Sequence, residues 1–370
     1  MMKNYVEIES QEALQALLEQ RHRVEHYAFQ GVDFKSVETA LECEFVDCIF
    51  MGCSMPEAMR RHLAPSCYLF PSMQKPYMLF PPALYSAATL YRGYDPADEE
   101  SFKMCYDTRV YNHYVAFGKQ ARDIGETLAR SLHDHSISDA LHDLLSCYDE
   151  RAVVAVMGGH ALSREDRGYT EVARLAKMLT EQGKLMVSGG GPGAMEATHL
   201  GAWMAGRTDE ELREAIGTLS AAPRFEDRGW LALAFEVMRR YPRDERYCSI
   251  GIPTWFYGHE PATPFASHIA KYFDNSVRED GLLAIAKGGV VYSPGSAGTM
   301  QEVFQDAAQN HYKTFGFASP MVFLGREHWT RTMPVYPLLE SLQAQGKYRN
   351  LLLSIVDTAE QAAEEILSFK

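Results

Sequence analysis

Two short glycine-rich turns, each joining an apolar run to a helical pattern, constrain this chain more than any other feature. The first reads Ser188-Gly-Gly-Gly-Pro-Gly-Ala-Met-Glu196 and follows Leu185-Met-Val. The second reads Ser293-Pro-Gly-Ser-Ala-Gly-Thr-Met-Gln-Glu302 and follows Val290-Val-Tyr. Glycine lets a backbone turn sharply and approach a ligand closely. Free amides at a helix start, together with the helix dipole, favour an anion there, and phosphate is the natural guest. The candidate phosphate-binding residues are Gly189, Gly190, Gly191, Gly193 and Met195 in the first turn, and Gly295, Ser296, Gly298 and Thr299 in the second. Positive φ is expected at Gly191 and Gly298. Thr299 is expected to cap its helix or bind phosphate, and Glu302 falls one turn further along, near the mouth of the same cleft. A single such turn can serve packing alone, but two in one sheet favour a ligand. Neither is a dinucleotide fingerprint or a P-loop, because the GxGxxG spacing and the Gly-Lys-Ser/Thr sequence are both missing.

From Arg151 onward, apolar runs alternate with amphipathic stretches, the pattern of a parallel sheet covered on both faces. Strands are expected at 153–157, 184–188, 248–252, 289–293, 321–324 and 352–356. Helices are expected at 169–181, 193–205, 265–272, 278–287, 298–310, 335–344 and 358–368. The fold class is α/β, and strand order is not readable. Gly158, Gly159 and His160 follow the first strand and are candidate cleft-lining residues. Glu260, after Trp255-Phe-Tyr, is a further one, though an ordinary loop is the better reading there, and a hydrogen-bonded loop histidine accounts at least as well for His160.

Ahead of this α/β part the pattern changes. Phe29 and Phe34, then Phe45 and Phe50, recur five residues apart, and Cys43, Cys48 and Cys53 keep the same interval. The spacing fits either a short β-coil of pentapeptide type or chance, because a solenoid needs several stacked units. The stretch 64–91 carries five prolines and Lys75, which break any spanning helix. At 110–145 the spacing of Val115, Ile124, Leu128, Leu132 and Leu141 predicts two helices. The division expected is 1–105, an α+β extension; 106–150, a helical connector; and 151–370, the nucleotide-binding domain.

A net charge of −13 disfavours a nucleic-acid backbone as partner. It also argues against a single-strand DNA-binding protein of similar fold, which needs basic patches beside the cleft. Seven cysteines without a CxxC pair read as reduced thiols of a cytoplasmic chain, the acids near the start provide no export signal, and no membrane span is expected. No HExxH or Cys/His cluster offers metal spacing, so neither metal nor cofactor is expected.

Gly189-Gly-Gly-Pro-Gly-Ala-Met195 and Pro294-Gly-Ser-Ala-Gly-Thr-Met-Gln-Glu302 resemble the paired signatures of the LOG family of nucleoside 5′-monophosphate phosphoribohydrolases. The wording Gly-Pro-Gly-Ala-Met-Glu-Ala is closest to the larger bacterial nucleotide 5′-monophosphate nucleosidases, and the resemblance covers about 151–326. It implies a Rossmann-like fold, a homodimer or larger homo-oligomer, and hydrolysis of nucleoside monophosphates to free base and ribose 5-phosphate. It also implies Glu302 as the catalytic glutamate and Arg278 as its partner arginine. The chain departs from the family pattern at Ser296, which replaces a glycine, at Glu279, which replaces a lysine, and in an Arg278-to-Pro294 interval one residue longer. On the residues alone, Arg278 reads as an exposed first-turn helix residue among acids, and a surface helix carboxylate is the lesser alternative for Glu302. The competing function is a carrier of nucleotide or molybdenum cofactor, which needs the turns but not Glu302 with Arg278.

Overall fold

Val153–Met157 is a run of five consecutive buried apolar residues, which suits a strand covered on both faces. In the computed structural model, which describes residues 5–63 and 67–369, it is the central strand of a seven-stranded sheet. The strands run in the order His268–Ile269, Ser249–Gly251, Leu185–Ser188, Val153–Met157, Val290–Tyr292, Pro320–Leu324, Leu352–Val356. Every pairing is parallel. The chain thus steps outward on one side of the central strand, then returns to its other side at Val290–Tyr292 and steps outward again. That reversal opens a crevice at the C-terminal ends of Val153–Met157 and Val290–Tyr292, where sheets of this kind bind ligands. Met157 lies opposite Tyr292, and Ala155 pairs with Val187 on the other flank, so the ends of three strands stand side by side.

Val154, Val156, Met186 and Val322 pack in one core with Val172, Leu175, Leu200 and Ile366 from helices Arg167–Glu181, Ala194–Trp203 and Ala359–Ser368. The remaining residues of the inner strands are buried as well, so the second face is also covered. The fold is α/β, a Rossmann-like parallel sheet with helices on both faces. All six expected strands are present, each within one residue of its expected ends.

The helix expected at 265–272 is not formed. Its backbone pairs outward instead: Ile269 exchanges two hydrogen bonds with Tyr85 (3.0 and 2.7 Å), and His268–Ile269 forms the sheet edge. Phe265, Ala266, Ile269 and Ala270 are buried in this extended form, which a spacing rule cannot separate from a short buried helix. Two further helices, Asp209–Leu219 and Trp230–Arg240, were not expected. The first carries a readable start signal, a capping box in which Glu211 N–H donates to Thr208 Oγ1 (3.2 Å) and Thr208 N–H to Glu211 Oε2 (2.8 Å).

The chain forms two compact units, Met1–Leu84 with Phe117–Leu141, and Tyr85–Ala116 with His142–Lys370. The second holds the large sheet. Within it, Asp107 accepts hydrogen bonds from Trp255 Nε1 (2.8 Å) and the buried Lys271 Nζ (2.9 Å), tying helix Tyr106–Phe117 beside the sheet edge.

In the first unit, Val6–Ile8, Tyr27–Gln30, Ile49–Met51 and Tyr68–Phe70 form a parallel ladder, with Arg23–Glu25 and Glu44–Val46 paired beside it. Phe29 lies in register with Phe50, and Phe29, Phe34, Phe45 and Phe50 stack inside at 5.0 to 5.8 Å between centroids. Burial pushes the thiols of Cys43, Cys48 and Cys53 up to about 11. Ala64, Pro65 and Ser66, at the head of the proline-rich stretch, and the first four residues lie outside the described residues. Helix Ile124–Ser146 buries Glu126 rather than the expected Ile124 and Leu128, which are exposed. Glu126 is held by Lys75 (2.7 Å), Arg130 (2.9 Å) and Tyr77 (3.2 Å). Among the described residues, no helix is long and apolar enough to cross a membrane.

Candidate functional site

Both turns lie at the C-terminal edge of the sheet and lean on one another. Gly159 N–H donates to Pro294 O (3.1 Å), and Ala194 N–H donates to Gly159 O (3.2 Å). Gly158 sits where these segments converge: a Cβ there would stand 2.7 Å from Ala194 Cβ and 2.9 Å from Ser293 Cβ. Gly193 has φ +70°, and a Cβ there would lie 2.6 Å from His160 O, so this position takes only glycine. Gly190 is also left-handed, with φ +69°. The positive φ expected at Gly191 and Gly298 is absent. Gly191 instead faces the Met195 methyl, 2.8 Å from where its Cβ would be, and Gly298 faces open space.

Helices Ala194–Trp203 and Ala297–Tyr312 start at Gly193 and Ser296, and neither start has a side-chain cap. The capping expected of Thr299 does not occur. Its buried side chain packs on Gly295, which has no room for a Cβ. Two helix starts without side-chain caps thus stand at this edge of the sheet, and apart from the Ala194 N–H, which Gly159 O takes, their first amides and positive dipole ends are available to an anion.

Glu302 lies one turn into the second of these helices. Burial pushes its carboxyl up to about 7, with nearby Arg278 opposing the rise and Glu279 adding to it. Arg278 belongs to helix Asn275–Ile285 and reaches across to the first turn: its Nη1 is 3.6 Å from the Cβ position of Gly189. Its Nη2 donates to Asn275 Oδ1 (3.0 Å), while its Nε is buried without a partner. Glu279, the departure from the family pattern, accepts a hydrogen bond from Asn275 Nδ2 (2.9 Å). Arg278 thus lies within electrostatic reach of Glu302 and beside the first turn.

His160 and Glu260 also meet, with His160 Nδ1 3.6 Å from Glu260 Oε1. Glu260 Oε2 is 3.7 Å from the Cβ position of Gly191, so this pair sits against the first turn. A cavity of about 140 Å³ opens here, lined by His160, Pro192, Gly193, Phe225 and Trp230. At its base Arg164 clasps the fully buried Glu196 in two bonds (2.6 and 2.9 Å), and Tyr169 adds a third (3.0 Å). With its charge satisfied in this way, Glu196 anchors the helix that starts at the first turn.

Three contributors have no sequence signal of their own. Ser293 Oγ and His328 Nε2 are buried without partners, like Arg278 Nε, and the His328 ring stands at the Gly295 backbone. Both residues follow strand ends, the one rule that points to them. The third is His199, fully buried and kept neutral, with burial driving its pKa down to about 3. It bridges Ser188 Oγ (2.8 Å) and Ser249 Oγ (2.9 Å), and Ser188 Oγ accepts the Gly190 N–H (3.1 Å). His199→Leu leaves both hydroxyls buried and short of a partner. A loss of about 2–4 kcal/mol in stability is expected, and urea denaturation measures it; an unchanged midpoint would remove His199 as the support of the first turn.

Fold and site together define a doubly wound α/β protein with paired glycine turns at its topological switch point. No protein-family model matches the chain, and no curated protein does. Among solved structures, the chain is similar to the molybdenum cofactor binding protein from the phototrophic bacterium Rippkaea orientalis (16% identity over 58% of this chain and 95% of that one, TM-score 0.37). It is also similar to the molybdenum cofactor carrier protein MCP from Chlamydomonas reinhardtii (15%, 59% and 96%, TM-score 0.36) and to TM1055 (20%, 58% and 98%, TM-score 0.38). These likenesses assign no activity to the chain.

Proposed function

We propose that the sheet unit hydrolyses the N-glycosidic bond of nucleoside 5′-monophosphates, releasing free base and ribose 5-phosphate. The observation that carries this reading is the half-buried Glu302, raised to about 7 and opposed by Arg278, beside two uncapped helix starts. A carrier needs the helix starts but has no use for a carboxyl poised to exchange a proton near neutrality.

In this reading the amides of the two turns hold the 5′-phosphate, with the Arg278 guanidinium beside the first of them. The bond from C1′ to the base nitrogen breaks as a bond from C1′ to water oxygen forms. Glu302, ionised, takes one proton from the attacking water, solvent water protonates the departing base nitrogen, and Glu302 returns its proton to solvent, so that one water is consumed and the carboxylate is regenerated. The sugar carries oxocarbenium-like positive charge in the transition state, which a nearby carboxylate stabilises.

The test is incubation with a panel of nucleoside monophosphates and the matching nucleosides, followed by chromatography for free base. Base is expected from the monophosphates, and at least about 100-fold more slowly from the nucleosides, because helix-start amides have no comparable bond to an uncharged hydroxymethyl group. Tight monophosphate binding without base release replaces this reading with the carrier. Equal turnover of adenosine and AMP removes the turns as the phosphate site.

A further inference from the structure

A second cavity, of about 380 Å³, opens beside the first and shares Phe225, Glu226 and Trp230 with it. Its size suits a small heteroaromatic ligand. Tyr94, Phe102, Phe225, Trp230 and Leu231 line it, with the Tyr94 and Phe102 rings perpendicular and their centroids 6.3 Å apart. A lining this rich in aromatic rings favours a planar aromatic guest.

The mouth decides which kind. Four carboxylates, Glu99, Glu100, Glu226 and Asp227, stand there against one ammonium, Lys103, which is paired with Glu100. Such a rim repels a phosphate and accepts hydrogen bonds from N–H groups. Glu99 is committed to Arg228 (2.8 Å) and to the Gly229 N–H (2.9 Å), and Asp227 accepts the Arg224 N–H (2.7 Å). Glu226 is exposed and has no such partner among the described residues, so its carboxylate is available to a ligand.

The two cavities adjoin. His160, Pro192 and Gly193 bound the first, Phe225 and Trp230 are common, and His259 in the second lies 3.8 Å from Glu260, which faces the Gly191 position. We propose that the aromatic cavity receives the base of the nucleotide whose phosphate meets the turns, and that Glu226 selects bases bearing an exocyclic amine over those with a carbonyl in its place. The proposal rests on the reading of the turns as phosphate sites. It gives residues 94–103, which carry no recognisable motif, a direct part in substrate choice.

Adenine and hypoxanthine, an amine and a carbonyl on similar rings, test this by calorimetry on the full chain, alongside base release from AMP. The wild-type chain is expected to bind adenine more tightly than hypoxanthine. Phe102→Ala is expected to weaken both by about tenfold through lost stacking. Glu226→Gln, on an exposed side chain that leaves folding intact, is expected to cut the preference for adenine; thermal melts check both variants. Wild-type affinities and selectivity in both variants, or no adenine binding by the wild-type chain, overturn the pocket, and base release from AMP then shows that hydrolysis stands without it. Adenine binding that falls in both variants, with no base released from any nucleotide, upholds the pocket and removes the hydrolysis.

Discussion

Glu302→Gln is expected to lower turnover by about 100- to 10,000-fold while leaving nucleotide affinity nearly unchanged. The substitution keeps the shape of a side chain one turn inside its helix and removes only the charge and the proton acceptor. Ground-state binding rests on the turns, whose amides the substitution does not touch, so the loss falls on the transition state. Arg278→Ala is expected to act differently. Its guanidinium stands near both Glu302 and the Gly189 position, so KM rises as kcat falls. Single-turnover kinetics with equilibrium binding separate the two effects. Base release by Glu302→Gln at the wild-type rate would make the carboxylate structural and return the carrier reading to the front.

The same carboxyl sets the pH dependence. Because Glu302 acts ionised and its pKa is pushed up to about 7, kcat rises with pH through a limb centred near 7. Arg278 lowers that pKa, so its removal moves the limb to higher pH, while Glu279→Gln removes an opposing charge and moves it lower. Stability runs the other way. Glu302 and the fully buried Asp306, also raised to about 7, hold their protons more tightly folded than unfolded. Their contribution to folding is complete below the ordinary carboxylate range and is lost as pH rises to about 7. The pH that favours turnover is therefore one at which this helix is held less firmly.

The inner strands were legible because burial on both faces writes them as apolar runs, and Val153–Met157 matches its expected limits; the edge strand Leu352–Val356 also does, though only Val356 in it is buried. The second turn was legible as a turn and helix start because its signal is local, with glycines and helix start inside ten residues of chain. What failed was decided by distant partners. His268–Ile269 became an edge strand because Tyr85 and Ser249–Gly251 complete its hydrogen bonds. Ile124 and Leu128 turned outward because Lys75, Tyr77 and Arg130 satisfy Glu126 inside. His199 and His328 were invisible because nothing beside them in sequence marks a buried imidazole. Strand order, which creates the crevice, is a property of pairing alone.

The glycines of the site divide into two kinds, and substituting one of each separates architecture from recognition. Gly193→Ala puts a methyl group against the His160 carbonyl at a backbone angle that alanine resists. A loss on the order of 3 kcal/mol or more is expected, because the strained conformation and the backbone collision add. Gly298→Ala meets nothing within 4 Å and sits in the first turn of a helix with ordinary φ. Its stability is expected to hold or to rise by up to about 1 kcal/mol, since alanine favours helix over glycine. Yet Gly298 lies at the uncapped helix start where the second turn offers its amides, so the added methyl group occupies space that a bound phosphate needs. Gly298→Val, bulkier at the same place, is expected to lose monophosphate binding by at least about 100-fold with a near-normal thermal melt. Thermal denaturation and calorimetry on the three variants give the answer. A Gly298→Val chain that melts normally and binds AMP as the wild type does would show that the second helix start does not meet the phosphate.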